Sequence, residues 1–204
     1  MSLCAASRNA EEIAARVETH YNQAHTLSVK FFEDYEVQGH KRPTESGTLL
    51  LQKTGKMRWD YEQPAGKLFL SDGKNIYLYT SGDNRVEKIR IRDTEDMRAP
   101  FAFLLGHLDF KKQFRDFRER TEEGGEWLDA SPKTDRAPYE RVEMLVTTTG
   151  SIRQLKIFGK DGSLTSFAFS DEMLNPQIDD KLFHFTVPPG AEVVDAVEFG
   201  SEGN

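Results

Sequence analysis

Cysteine is almost missing from this chain: Cys4 is the only one in 204 residues. An internal disulfide and a cysteine-built metal cluster are both excluded by that count. Long apolar runs are missing too, since no stretch approaches the roughly 20 consecutive apolar residues of a membrane-spanning helix. Positive charge is in deficit, with 27 Lys and Arg against 34 Asp and Glu, a formal net charge of −7 and a pI near 5.3. The cations are dispersed among acids, so there is no basic stripe with which to neutralise a phosphate backbone, and nucleic acid is not an expected partner.

The punctuation of catalysis is also missing. No G-x-S-x-G elbow, H-E-x-x-H pair or G-x-G-x-x-G turn occurs. "KTGKM" resembles the end of a phosphate loop, but the earlier glycine it requires falls at Leu50. His20, His25, His40, His107 and His184 show no ligand spacing, and His20 and His25 read as surface side chains. Asp60, Glu62, Asp93, Glu95 and Asp96 read as solvated charges opposite apolar faces. Ser71 with Asp72 is the nearest thing to a nucleophile and its partner, as a lipid-acting hydrolase would need, yet a Ser-Asp-Gly turn explains both. The expectation is a protein that is not an enzyme and holds no metal or cofactor.

What is present is aromatic bulk: 14 Phe, 6 Tyr and 2 Trp in a chain that is 37% hydrophobic, 30% charged and of mean hydropathy −0.62. "MSLCAASRNAEE" is too short and polar for an intact signal peptide. Met1–Leu3 reads as a leader standing in place of something removed, and "EFGSEGN" as partly a scar. Residues 9–199 read as one domain, with 1–8 and 200–204 as terminal arms. Ile13, Val17 and Tyr21, with Ala10, Ala14 and Ala24 alongside, have helical spacing, and Asn9 is the expected start signal. The period then changes to two, with Leu27, Val29 and Phe31 on one face and Ser28, Lys30 and Phe32 on the other.

From there turn signals recur at short intervals, among them Pro43, Pro64–Gly66, Asp72-Gly73, Gly124-Gly125, Gly150 and Asp161-Gly162. The segments between them are β-branched and aromatic. Asp72-Gly73 and Asp161-Gly162 are hairpin signals, because such turns want residues with φ > 0. One interruption, "MRAPFAFLLGHLDFKKQF", predicts a short apolar helix from Pro100 to about Gly106. "DEMLNPQIDDKLFHFTVPPGAEVVD" reads as mostly extended or loop. The class is α+β: one large curved antiparallel sheet of roughly nine to eleven strands with a few short helices.

In "GTLLLQKTGKMRWDYEQPAGKLFLSDG" (47–73), Leu49, Leu51, Met57, Trp59 and Tyr61 share one face by parity, and Lys53 is the single cation among them. Leu70, and Tyr77 and Tyr79 on the next hairpin, are available to the same wall. An ordinary buried sheet face is the plain reading. A sheet this broad with so few helices to cover it instead leaves an apolar hollow.

These residues carry a resemblance. "ESGTLLLQKTGKMRWDYEQPAGKLFLSDGKNIYLYT" resembles the hairpins of the LolA family: a Gly-x-Leu strand, a basic turn, a Trp, a Pro, then a Ser-Asp-Gly hairpin ending in aromatic-x-Tyr. "APFAFLLG" is similar to the family's lid helix, "KDGSLTSF" to its later hairpin and "FHFTVPPGAEVVD" to its ending. The matches run in order from about Gly47 to Asp195. The resemblance implies an incomplete β-barrel whose helices form a lid over an apolar cavity that shelters the acyl chains of lipoproteins in the periplasm. It implies a cavity lined by Leu49, Leu51, Met57, Trp59, Tyr61, Leu70, Tyr77 and Tyr79. Ile13, Val17, Phe101, Phe103, Leu104 and Leu105 would form the lid. Lys53 stands where the family has an arginine that hydrogen-bonds the lid; lysine keeps the charge without the planar fork.

Implied partners are acylated lipoproteins, an inner-membrane lipoprotein-releasing ATPase complex and an outer-membrane acceptor, with the carrier itself a monomer. Alternatives in the same fold are the acceptor itself, anchored through a lipidated Cys4, and a lipoprotein-sensing module. A plain structural β-domain with a filled core is the reading without lipid.

Overall fold

A computed structural model describes residues 3–53, 55–90, 108–122, 125–135 and 137–195. The expected lid residues Phe101, Phe103, Leu104 and Leu105, like Asp93, Glu95, Asp96 and His107, lie outside them. The chain opens with helix α1 (Leu3–Asn22). Asn9 was expected to start this helix; it lies inside it, because Ala5 and Ala6 extend the helical run towards the N-terminus. Ala10, Ile13, Ala14, Val17 and Tyr21 form its buried stripe.

The strands follow as β1 (Thr26–Val37), β2 (His40–Lys41), β3 (Glu45–Gln52), β4 (Lys56–Gln63), β5 (Lys67–Asp72), β6 (Asn75–Thr80) and β7 (Arg85–Arg90). After the one-turn helix α2 (Phe110–Gln113) come β8 (Phe114–Glu122), β9 (Gly125–Pro132), β10 (Tyr139–Val146), β11 (Ile152–Gly159), β12 (Ser163–Leu174) and β13 (Glu192–Asp195). All belong to one open sheet, ordered β13-β7-β6-β5-β4-β3-β1-β12-β11-β10-β9-β8, with β2 paired to β1. Among the described residues the sheet has 13 strands. The excess over expectation includes the two-residue β2 and β13, which lies in the stretch read as mostly extended or loop and pairs with β7 in parallel.

The register fixes which residues face inward. Val29, Leu49, Trp59 and Phe69 lie in one row across β1, β3, β4 and β5. Leu128, Met144, Leu155 and Phe167 form the matching row across β9 to β12. Both rows join α1 in one continuous core. Between the two halves, β1 and β12 pair along nearly their whole length, interrupted by a bulge between Ser28↔Met173 and Lys30↔Ser170. Asp171 takes φ +52° there. The extra residue turns Glu172 onto the inner face, which strict alternation would have denied it.

The outer face of β4–β7 is covered as well. A 3-10 turn (Asp180–Phe183) packs on β4 and β5, with Phe183 fully buried. Arg58 Nη1 donates to the Leu182 carbonyl at 2.9 Å, and Phe185 stacks on Tyr77 at 4.6 Å. The Glu192 amide donates to the Asn84 carbonyl at 3.0 Å, leading the chain into β13.

Candidate functional site

One end of the inner face is not filled. Trp59 and Tyr61 of β4 face Thr165 and Phe167 of β12 and Ile157 of β11 across an open hollow of about 500 Å³. The rings of its wall brace one another. Phe31 meets Trp59 edge-on at 4.7 Å and Tyr61 at 5.3 Å, Trp59 lies 5.8 Å from Phe167, and Phe167 stacks on Phe169 at 5.9 Å. Opposite Tyr61 stands Gly47, where a Cβ would sit 2.0 Å from the Asp60 carbonyl oxygen, so β3 and β4 close up only because that side chain is missing.

The mouth is polar. Lys67 lies over the Tyr61 ring at 4.2 Å and pairs with Glu45. Lys160 donates to the Asp135 carbonyl, and Asp161 accepts from the Ser163 amide at 3.0 Å and its hydroxyl at 2.6 Å. Those two bonds hold the Asp161 carboxyl below its ordinary range.

The other end of the same face is packed. Leu49, Leu51 and Met57 are each at most 3% exposed and belong to one core with the fully buried Ile13 and Val17. Of the side chains expected to form a cavity, only Trp59 and Tyr61 reach the hollow. Leu70, Tyr77 and Tyr79 are on the opposite face of the sheet: Leu70 pairs with Arg58 and Tyr77, while the inward position of β5 is Phe69. Tyr77 stacks against Phe185, Leu70 is buried on the strand that the 3-10 turn covers, and the Tyr79 hydroxyl donates to Asn84 at 3.3 Å.

Helix α1 is held by polar contacts. The Tyr21 hydroxyl donates to Glu172 at 2.8 Å and accepts from the Ile152 amide at 3.0 Å. His20 Nε2 shares a hydrogen bond with the other Glu172 oxygen at 2.7 Å. With a side chain only 12% exposed, His20 is no surface residue. Burial pushes the Tyr21 hydroxyl far up, with the Glu172 charge adding to it. Burial also pushes the Glu172 carboxyl up, but hydrogen bonds from His20, Tyr21 and Ser151 outweigh it and leave that carboxyl below its ordinary value. Lys53 Nζ donates to the Asn22 carbonyl at the end of α1, and burial lowers the Lys53 pKa. The Asn22 side chain exchanges two hydrogen bonds with Leu108, at 2.7 and 2.8 Å, and the Phe110 amide donates to Glu18 at 2.6 Å. Lys53 therefore steadies α1, which in turn grips the chain where it leaves residues 91–107.

A depressed carboxylate stabilises the fold above its unfolded pKa and loses that contribution as pH falls through the folded value. Below about pH 4.3, the ordinary glutamic acid value, stability should fall by on the order of 1 kcal/mol more in the wild type than in Glu172→Gln. Urea midpoints measured from pH 7 to pH 3 check this.

A profile of the family described as outer membrane lipoprotein carrier protein LolA matches residues 22–186, which span both walls of the hollow. The chain belongs to the LolA family. A protein named outer-membrane lipoprotein carrier protein from Nitrosospira multiformis is 32% identical over 153 residues, covering 74% of this chain and 72% of the relative. Another of that name from Dechloromonas aromatica is 30% identical over 172 residues, covering 83% and 81%. The crystal structure of a DUF1329 family protein from Desulfovibrio piger superposes with TM-score 0.53 at 13% identity, over 87% of this chain and 96% of that one, a likeness of fold.

In this LolA-family chain the second wall, Ile157, Thr165 and Phe167, was not singled out from sequence. The alternation Thr165, Phe167, Phe169 is a signal that finds it. Lys67 and Lys160 at the mouth have no such signal, because isolated charges near turns are ordinary, whereas Glu33 continues the alternation of Leu27, Val29 and Phe31 along β1. The Ser71 hydroxyl, the nearest nucleophile candidate, donates to the Gly55 carbonyl at 2.8 Å, a turn contact. Among the described residues no three potential metal ligands gather.

Proposed function

We propose that this protein shelters the acyl chains of lipoproteins in the Trp59–Phe167 hollow and carries them through the periplasm from the inner to the outer membrane. The observation that carries the reading is an aromatic hollow left open to solvent on the inner face of a LolA-family sheet. At about 0.8 kcal/mol per methylene, one long acyl chain costs on the order of 10 kcal/mol to leave in water, so transit requires a container. The cargo is released unchanged, and no bond need be made or broken. At about 30 Å³ per water-sized group, the hollow has room for about one acyl chain. Further chains would enter the space filled by α1, taking over both its apolar contacts through Ile13 and Val17 and its hydrogen bonds. A membrane ATPase complex that loads the carrier and an outer-membrane acceptor that empties it complete the reading.

Tryptophan emission tests it. Trp127 is on the outer face, between Arg120 and Lys156, each 4.8 Å from its ring. In Trp127→Phe only Trp59 reports. Titration with a triacylated lipopeptide in detergent-free buffer should give a saturable shift. Ile157→Glu, which sets a carboxylate in the wall within reach of water, should weaken binding by about 100-fold, the cost of bringing hydrocarbon against a charge. An unchanged spectrum across the titration counts against the carrier.

A further inference from the structure

We propose that the same hollow also takes a free, single-chain zwitterionic lipid of the lysophosphatidylethanolamine type. Its acyl chain would lie on the aromatic floor, with phosphate and ammonium on the rim. This goes beyond the lipoprotein reading, because the acylated end of a triacylated lipoprotein is an uncharged amide and thioether that matches no ion at the mouth.

The rim is charged in both senses. Lys67 and Lys160 supply two ammonium groups, and Glu33 and Asp161 supply two carboxylates, so the mouth is electrically balanced on a chain of net charge −7. Three of these groups have named holds: Lys67 in Glu45 and the Tyr61 face, Lys160 in the Asp135 carbonyl, and Asp161 in its two bonds from Ser163. A purely anionic headgroup seated here meets the carboxylates, and a purely cationic one meets the lysines. A dipolar headgroup satisfies both sets at once. Tyrosine faces at this end of the sheet already attract cations within the protein, Tyr61 from Lys67 at 4.2 Å and Tyr35 from Arg42 at 4.3 Å. Tyr35 and Tyr139 also line the mouth, where a lipid ammonium would rest. The volume selects one chain over two.

The test uses the full chain with Trp127→Phe and Trp59 emission, each lipid kept below its micelle threshold. Lysophosphatidylethanolamine should bind one to one. Lysophosphatidylglycerol and a neutral monoacylglycerol of equal chain length should bind about five- to tenfold more weakly, the range open to a few part-exposed charge contacts. Glu33→Gln with Asp161→Asn should erase the preference over lysophosphatidylglycerol. Lys67→Met should erase the preference over monoacylglycerol. Thermal melts confirm that each variant is folded. Equal affinity for the three lipids, or no saturable binding of the first, overturns the proposal. Lipopeptide binding with headgroup indifference overturns this proposal alone; lysolipid binding without lipopeptide binding overturns the carrier alone.

Discussion

Replacing Phe31 by Ala should cost about 3–5 kcal/mol of stability, the range for emptying a fully buried aromatic site. Phe31 is 0% exposed and braces both Trp59 and Tyr61, so its loss leaves a void beside the hollow that neither ring can fill without abandoning the other. The neighbouring Phe32 is 53% exposed on the opposite face. Phe32→Ala should stay within about 0.5 kcal/mol of the wild type. Chemical denaturation of the pair, with unchanged dependence on denaturant, separates a core position from a surface one using two adjacent residues of one type.

Gly150→Ala should be nearly as damaging, by about 2–4 kcal/mol. Two penalties coincide there. The backbone has φ +90°, and a Cβ would sit 2.4 Å from the Arg16 carbonyl oxygen of α1, a backbone atom with no rotamer to yield. The helix must move away from the sheet, taking His20 and Tyr21 from Glu172. Amide hydrogen exchange along residues 13–22 should rise with the destabilisation, and the Trp59 hollow should accept lipopeptide more readily. Gly162 is the control, with φ +80° but nothing within 4 Å of a Cβ. Gly162→Ala should cost only the left-handed backbone penalty of about 1–2 kcal/mol, and α1 should stay in place.

The inner face of β1, β3 and β4 was legible because only one side of those strands is strongly apolar, so alternation names the core directly. Leu70, Tyr77 and Tyr79 were misread for a definite reason. "KLFLS" and "NIYLYT" are apolar on both sides, since Phe183 and Phe185 cover the outer face just as the core covers the inner one. Where both faces are dry the period of two vanishes, and parity cannot be carried across a turn. The parallel β13 was hidden because four residues after a long wrap carry no mark of which edge they will meet. Glu172 was hidden by the bulge at Asp171, which displaces every later residue of β12 by one place. The position of Lys53 was readable from its parity, but its hydrogen-bond partner depends on where α1 ends.

The pairing of β1 with β12 has a consequence for how the chain acquires its shape. Leu27 lies beside Leu174, so the two halves of the sheet are joined by contacts between residues from opposite ends of the polypeptide. The strap over β4 and β5 is later still. Neither can form until almost the whole chain is available, and the closure of so large a loop precedes any reward from it. Folding should therefore be slow and late. An unfinished chain would expose the very aromatic strands that the finished one turns inward, which makes the interval before completion the stage at which this protein itself most needs shelter.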